Sequence, residues 1–314
     1  MRISSNYIFD TYLKYDKARQ ADIVKYSNQL SSGKKLLNPS DDPISLAQSL
    51  RFKSIKSDLD GYTKNIDITR NIQLISETAL TNIIETSQET RVEIVRLLNT
   101  GVLDSDDAQV LKSYLIDTRD YLINLANLKI GDKYVFSGVT SQTAPIDASG
   151  VYQGSQDETT VPIAKGVEVP IRYNGNKYLG IDNDDDKMIL VKVIDRVVEI
   201  IDNALSGTGS LTDLNRDDVV TVNGQTMSIL DGFDTGLSAV MQYRSVLGSQ
   251  NKTVEDIRMQ HEMFKVNYSE LISRLEDADL TNSIAQLEKS KIAYEATIAS
   301  FAQNKDLSLL KYFK

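Results

Sequence analysis

Apolar residues recur every three or four positions over most of both arms of the chain, and this spacing is typical of helices that pack on other helices. The two longest predicted helices of the first arm follow one another through a short loop, which predicts an antiparallel helical hairpin. The predicted helices cover residues 5–32, 44–100, 105–130, 188–205 and 240–275.

The middle of the chain cannot continue these helices, because three of the five prolines, at 145, 162 and 170, and seven of the sixteen glycines lie in it. Asn174-Gly175 lies between two tyrosines and is a two-residue hairpin signal. A second Asn-Gly pair predicts another hairpin at 219–229. We therefore predict a small β-rich domain at 138–185, inserted between helical arms.

Both ends of the chain carry apolar stripes that need a partner. The stripe of the first helix is weak, and the last residues are apolar although chain ends are usually polar and frayed. We predict an assembly interface at Phe9, Leu13, Ile23, Leu30, Leu280, Ile284, Leu287, Tyr294, Ile298, Phe301, Leu307, Leu310 and Phe313. Docking of the last helix on its own domain remains open as the simpler alternative.

The heptad spacing breaks between Leu275 and Leu280, where Glu276, Asp277, Ala278 and Asp279 intervene. Upstream of this break the spacing alternates three and four without interruption. We interpret the break as the place where the helix changes packing partners.

Composition narrows the classes of function. The chain has 314 residues, enough for two or three domains, and 25% charged and 41% hydrophobic residues are ordinary for a soluble protein. A net charge of −9 argues against nucleic-acid binding. The lack of cysteine excludes disulfides and thiol chemistry. Charged residues at 10, 14 and 16 interrupt any signal-peptide core, so we expect no cleaved signal peptide. No run approaches eighteen apolar residues, so we expect no membrane insertion.

Three partial motifs do not complete a catalytic or metal site. His261-Glu262 begins a zinc-protease pattern, but Lys265 stands where the second histidine belongs. The acidic run 182–186 imitates a calcium loop without its glycine or its final glutamate, which favours a solvated acidic turn. The loop 207–209 lacks the later glycine of a nucleotide fingerprint. We predict no catalytic, cofactor-binding or metal-binding residues, so the chain is not expected to be an enzyme.

Three stretches carry a family resemblance: LSSGKKLLNPSDDP at 30–43, YVFSG at 134–138 with YQG at 152–154, and the ending from LEDADL at 275 to LSLLKYF at 313. Together they resemble the family of bacterial flagellar hook–filament junction proteins, the third hook-associated proteins of the flagellin superfamily. RSVLGSQN at 244–251 also resembles that family, except that Ser249 stands where alanine is common.

The resemblance implies a mainly α fold: a long antiparallel helical rod with terminal coiled-coil helices and a small inserted β domain. Residues 1–42 and 278–314 would pair as an inner coiled-coil domain. Residues 43–137 and 186–277 would form the helical rod, and residues 138–185 the outer β domain. Such a protein would leave the cell through the flagellum's type III export route and reside in the extracellular flagellum.

The resemblance implies that the protein is a structural adaptor that joins the flagellar hook to the filament. The expected partners are other copies in a ring, the first hook-associated protein, flagellin and a flagellar export chaperone. The nearest alternative is a flagellin that forms the filament itself. Alternatives of other classes are an enzymatic or metal-binding insert at 138–185 and a cytosolic coiled-coil scaffold.

Overall fold

Long helices make up most of the chain. The computed structural model describes residues 5–99, 105–140 and 142–306. In chain order the elements are α1 (Ser5–Ser32), α2 (Pro43–Asn99), α3 (Ser105–Ala126), β1 (Lys129–Ile130), β2 (Lys133–Tyr134), β3 (Thr159–Ala164), β4 (Val167–Arg172), α4 (Gly175–Tyr178), α5 (Ile189–Leu205), a 3-10 turn (Leu211–Asn215), β5 (Val220–Val222), β6 (Gln225–Met227), α6 (Ile229–Glu276) and α7 (Leu280–Asp306). The predicted mainly α fold with a small β component is confirmed.

The contacts divide the chain into two compact units. Unit 1 consists of Met1–Leu59 and Glu262–Lys314, and unit 2 is Asp60–His261. The three-part division with boundaries at 42, 137, 185 and 277 is not tested by this grouping and stays a prediction. In the part of the chain that the structure describes, no helix is long and apolar enough to cross a membrane.

Unit 2 is built around α5, in whose sequence, ILVKVIDRVVEIIDNAL, most positions are apolar. Val193, Ile194 and Val197 are fully buried in one core with residues of α3 and α6, such as Leu115 and Phe233. A helix that is apolar on most of its surface must be covered by other elements, and this explains its central position.

The β elements are three separate antiparallel pairs. The pair β3–β4 turns at Gly166, whose φ of 77° suits glycine. Its buried Ile163 and Val169 pack against Ile66 of α2 and Val254 of α6. The predicted extension of α3 to residue 130 is wrong, because Lys129–Ile130 pairs with Lys133–Tyr134 as β1–β2.

The predicted hairpin at Asn174-Gly175 is also wrong. Asn174 caps the short helix α4 by accepting a hydrogen bond from Asn176 N, 2.9 Å away. Gly175 is required by close packing: a Cβ there would lie 2.4 Å from the carbonyl oxygen of Phe136. Because the pair is buried, Asn174 caps a helix and Gly175 allows two backbone segments to approach closely. The pair does not form a turn between strands.

The hairpin predicted at 219–229 is present as β5–β6. Asn223 and Gly224 form its turn with φ values of 50° and 75°, both in the left-handed region that a two-residue turn of this type needs. Asp182 accepts a hydrogen bond from Asn223 N at 2.9 Å, and Asp184 accepts one from Gly224 N. The hairpin is therefore fixed to the acidic loop that precedes α5.

The inserted segment shares its core with the helices of unit 2. Phe136, Ile146, Tyr152 and Tyr173 are buried in the same hydrophobic cluster as α5. The hydroxyl of Tyr152 donates to the carbonyl oxygens of Phe136 and Ser155, and accepts from Gly175 N at 3.0 Å. The segment is thus part of unit 2, and buried aromatic residues hold it to the helices of that unit.

Candidate functional site

The terminal helices α1 and α7 pack on each other within unit 1. The rings of Tyr12 and Phe301 meet edge to face with their centroids 5.2 Å apart, and Gln20 Nε2 donates to the Tyr294 hydroxyl at 3.4 Å. A groove of about 270 Å³ opens between the helices. Its lining includes Tyr12, Leu13, Asp16, Tyr294, Thr297, Ile298 and Phe301.

Few side chains of the two helices are buried, and the buried ones are polar. Among the side chains described in α1 and α7, the buried ones are Gln29, Ser283 and Ser290, and all others are half-buried or exposed. The two serines are one heptad apart, so they lie on the same side of α7. Small side chains allow close approach of two helices, but they contribute little apolar burial.

An apolar stripe on α7 lies beside this face and remains in contact with water. Leu280, Ile284 and Ile298 are 50%, 49% and 47% exposed. At 3.6 residues per turn this stripe lies about 80° around the helix from the two buried serines. On α1, Leu13 and Val24 are likewise 40% and 57% exposed. The pair thus presents apolar surface that its own packing does not cover.

The predicted interface residues therefore fall into three groups. Half-buried residues are Ile23, Leu30, Leu287, Tyr294 and Phe301, and exposed ones are Leu13, Leu280, Ile284 and Ile298. The side chain of Phe9, together with Leu307, Leu310 and Phe313, lies outside the described residues. The role of these thirteen residues in assembly stays a prediction.

The break in heptad spacing at 276–279 is a joint between helices. Helix α6 ends at Glu276 and α7 begins at Leu280. Lys35 N donates to Glu276 O at 2.7 Å and Ala278 N donates to Gly33 O at 2.9 Å, so the segment after α1 pairs with the segment before α7. Both terminal helices consequently leave from this joint.

Glu276 is the charged centre of the joint and is only 7% exposed. Its Oε1 accepts hydrogen bonds from Ser49 Oγ and Lys53 Nζ, and its Oε2 lies 3.5 Å from Lys34 Nζ. Burial by itself raises the pKa of Glu276, but the hydrogen bonds from Lys53 and Ser49 outweigh it, so the pKa lies below its ordinary value. The carboxylate is therefore held in its charged form.

The other acidic residues of the joint have separate structural roles. Asp277 Oδ1 accepts from Lys34 Nζ at 2.5 Å on the exposed side, and this bond is the main reason why the pKa of Asp277 is lowered. Asp279 caps α7 by accepting from Asn282 N at 3.0 Å. Asp42 caps α2 in the same way by accepting from Ile44 N and Ser45 N.

The sequence patterns did not identify Ser283, Ser290, Gln29 or Glu276 as important. The seven-residue spacing of the two serines is a signal that could have indicated a close-packed face. Nothing in the local sequence distinguishes the buried Glu276 from the exposed Asp277 beside it. Its burial depends on Ser49 and Lys53, which come from the far arm of the chain.

The partial chemical motifs are structural. Residues 183–186 are exposed, as predicted for a solvated turn, but Asp182 is fully buried and departs from that prediction. Burial by itself raises its pKa, but hydrogen bonds from Lys192, Asn223 N and Asp184 N lower it further than burial raises it. His261 is buried with its ring centroid 5.9 Å from that of Tyr62. The described residues contain no group of three His, Cys, Asp or Glu side chains that could hold a metal ion.

Comparison with known families matches both arms of the chain. The family model of the bacterial flagellin N-terminal helical region matches residues 3–141, and that of the flagellin C-terminal helical region matches residues 230–313. The two matched segments contain α1, α2, α3, α6 and α7. The first segment also contains β1 and β2, whereas the elements from β3 to β6 lie outside both matches.

Individual relatives match over their whole length. Flagellar hook-associated protein 3 of Escherichia coli is 24% identical over 324 residues, covering 100% of both chains. The protein of that name from Salmonella typhimurium is also 24% identical, over 99% of both.

Solved structures share the fold. A putative flagellar hook-associated protein from Vibrio parahaemolyticus superposes with a TM-score of 0.63 at 20% identity, over 76% of this chain and 100% of the other. The flagellar junction protein of Legionella pneumophila has a TM-score of 0.56 at 13% identity, over 73% of this chain and 100% of its own. With both flagellin helical regions matched and these relatives aligned from end to end, the chain belongs to the bacterial flagellin family.

Proposed function

We propose that this chain is a structural adaptor that joins the flagellar hook to the flagellin filament and assembles through its terminal helices. The observation that carries the proposal is the exposed apolar stripe of Leu280, Ile284 and Ile298 on a helix pair that is already formed within one chain. The similarity along the whole chain to hook-associated protein 3 supports the particular place in the flagellum.

The free energy gained by covering this apolar surface suits an assembly in which each copy contacts several neighbours. Fully burying a large apolar side chain contributes roughly 1.5–3 kcal/mol, so covering the exposed half of each stripe residue contributes about 0.7–1.5 kcal/mol. Three such residues give about 2–4 kcal/mol per copy. That amount is too small to hold two isolated copies together, but it accumulates when every copy contacts neighbours on both sides, as in a closed ring.

The proposed partners follow from this placement. Copies of the chain would contact one another in a ring, with the first hook-associated protein on one side and flagellin on the other. A flagellar export chaperone would cover the apolar ends before export through the type III channel, and the assembled protein would be extracellular. The function would reside in these interfaces, without catalysis.

A flagellin that builds the filament itself is the second candidate, because both matched family models are flagellin regions. The two candidates differ in propagation. A filament subunit elongates seeds into long tubes, whereas a junction subunit stops after a short ring. Seeded polymerisation followed by electron microscopy separates them.

The test of the proposal uses charge substitutions on α7. Ile284→Asp places a charge in the exposed stripe, and Ala296→Asp places the same charge about 120° away around the helix, on an exposed position. In cells that lack their own copy, we expect Ile284→Asp to reduce incorporation into flagella at least tenfold, because the charge would have to be desolvated. Ala296→Asp should incorporate within about twofold of the unsubstituted chain. Equal incorporation of both variants would contradict the proposal.

A further inference from the structure

We propose that Glu276 is a positioning residue for assembly: it fixes the joint at which α1 ends and α7 begins, and so sets how the apolar stripe of α7 is presented. The inference rests on the proposed function and adds to it a residue that lies outside the stripe itself. The geometry is that of the joint, in which one nearly buried carboxylate at the end of α6 contacts α2 and the segment after α1.

The side-chain contacts of Glu276 reach two other segments of the joint. Ser49 and Lys53 belong to the first part of α2, Lys34 follows the end of α1, and Glu276 is itself the last residue of α6. The backbone bond from Lys35 N to Glu276 O, 2.7 Å long, ties the same residue to the segment after α1. No other carboxylate in the described part of this joint is buried.

Removing this charge should loosen the joint without unfolding it. The side chains of Lys34 and Lys53 are 42% and 48% exposed, so both ammonium groups can turn into water when their counter-charge is lost. They are therefore not trapped as buried unpaired charges, the situation that makes broken ion pairs strongly destabilising. What is lost is the link that joins α2 to the end of α1 and the start of α7.

The test compares Glu276→Gln with Asp277→Asn. The two variants remove adjacent carboxylates that both pair with Lys34, but Asp277 is exposed, and exposed pairs contribute little. Millisecond pulse-labelling hydrogen exchange on the monomer should show about tenfold faster exchange in α7 for Glu276→Gln and little change for Asp277→Asn. Exchange in α5 of unit 2 should be unchanged in both. Incorporation into flagella should fall about tenfold for Glu276→Gln alone.

Lys53→Met is a second test variant, because it removes the lysine that pairs with Glu276 and leaves Glu276 in place. It should accelerate exchange in α7 as Glu276→Gln does, and the double variant should be no worse than either single variant, since both break the same interaction. The inference is overturned if Glu276→Gln and Asp277→Asn behave alike, or if the effects of Glu276→Gln and Lys53→Met add fully. Should Ile284→Asp block incorporation while Glu276→Gln does not, the proposed function would stand and this inference would fall.

Discussion

The core of unit 2 and the terminal helix pair of unit 1 use helices in opposite ways. Helix α5 buries Val193, Ile194, Val197 and Ile201 completely. The pair of α1 and α7 buries two serines and a glutamine, and leaves isoleucine and leucine half exposed. Unit 2 therefore completes its own core, whereas the terminal pair has its most apolar surface available for another molecule. An assembly subunit needs both: a part that is folded alone and a part that is finished by its neighbours.

The largest expected effect concerns the buried ion pair of unit 2. Asp182→Asn removes the buried one of the two counter-charges of Lys192, whose side chain is only 17% exposed, and should lower the free energy of unfolding of unit 2 by about 3–5 kcal/mol. Asp185 pairs with the same lysine at 2.9 Å but is exposed, so Asp185→Asn should cost less than about 1 kcal/mol. Urea denaturation of both variants measures the difference, and equal losses would show that burial is not the deciding factor.

The comparison of the two regions is tested directly by truncating one isoleucine in each. Ile194→Ala should destabilise unit 2 by about 2–5 kcal/mol, since Ile194 is fully buried. Ile298→Ala in α7 should cost less than about 1 kcal/mol in the monomer, because nearly half of that side chain is in water already. Urea denaturation curves, through their midpoints and slopes, give the free energies of unfolding of both variants. A loss at Ile298 as large as that at Ile194 would mean that α7 is packed as tightly as the core.

The small pairing face sharpens the comparison further. Ser290→Leu inserts a large side chain where α7 packs closely, so it should destabilise the terminal pair by about 1–3 kcal/mol. Ser290→Ala keeps the size of the side chain and should change stability by less than about 0.5 kcal/mol. Hydrogen exchange of α1 and α7 is the measurement. If Ser290→Leu increased protection, the face would have room for apolar burial that the structure does not show.

The smallest expected effect is the dependence on pH. The pKa values of Glu276 and Asp182 are both lowered by folding from ordinary values of 4.5 and 3.8. Each carboxylate therefore contributes stability that is fully present above its unfolded pKa and is lost as the pH falls through its folded pKa. Urea midpoints should be constant from pH 7 to 5 and fall below about pH 4.5. Asp182→Asn should flatten that decline for unit 2, and an unchanged decline would exclude Asp182 as its source.

Much of the helical part of the fold follows from the sequence. The limits of α1, α2 and α5 were predicted to within a residue. Local signals set two of these limits, because Gly33 follows the end of α1 with a φ of 69° and Asp42 caps the start of α2. The two Asn-Gly pairs show where local signals fail. Asn223-Gly224 is at the tip of an exposed hairpin and turns as expected, whereas Asn174-Gly175 is buried under Tyr152 and Phe136, where packing decides the conformation.

The sequence predicted that the terminal helices carry an apolar surface for assembly, but not which of their residues are exposed. The apolar period of α7 located the stripe, yet it could not show that Ser283 and Ser290 would face α1 while Ile284 and Ile298 stayed exposed. Periodicity tells which residues share a face, but what covers that face depends on other parts of the chain or on other chains. Glu276 was missed for the same reason, since its partners Ser49 and Lys53 are distant in sequence.

Hydrogen exchange of the monomer and of the same protein in isolated flagella tests the central claim most directly. We predict that amides from Ile284 to Ile298 exchange at least a hundredfold faster than those from Val193 to Val197 in the monomer, because the terminal pair has little buried apolar surface of its own. In flagella, the two segments should be protected alike. Equal protection of both segments in the dilute monomer would contradict the account.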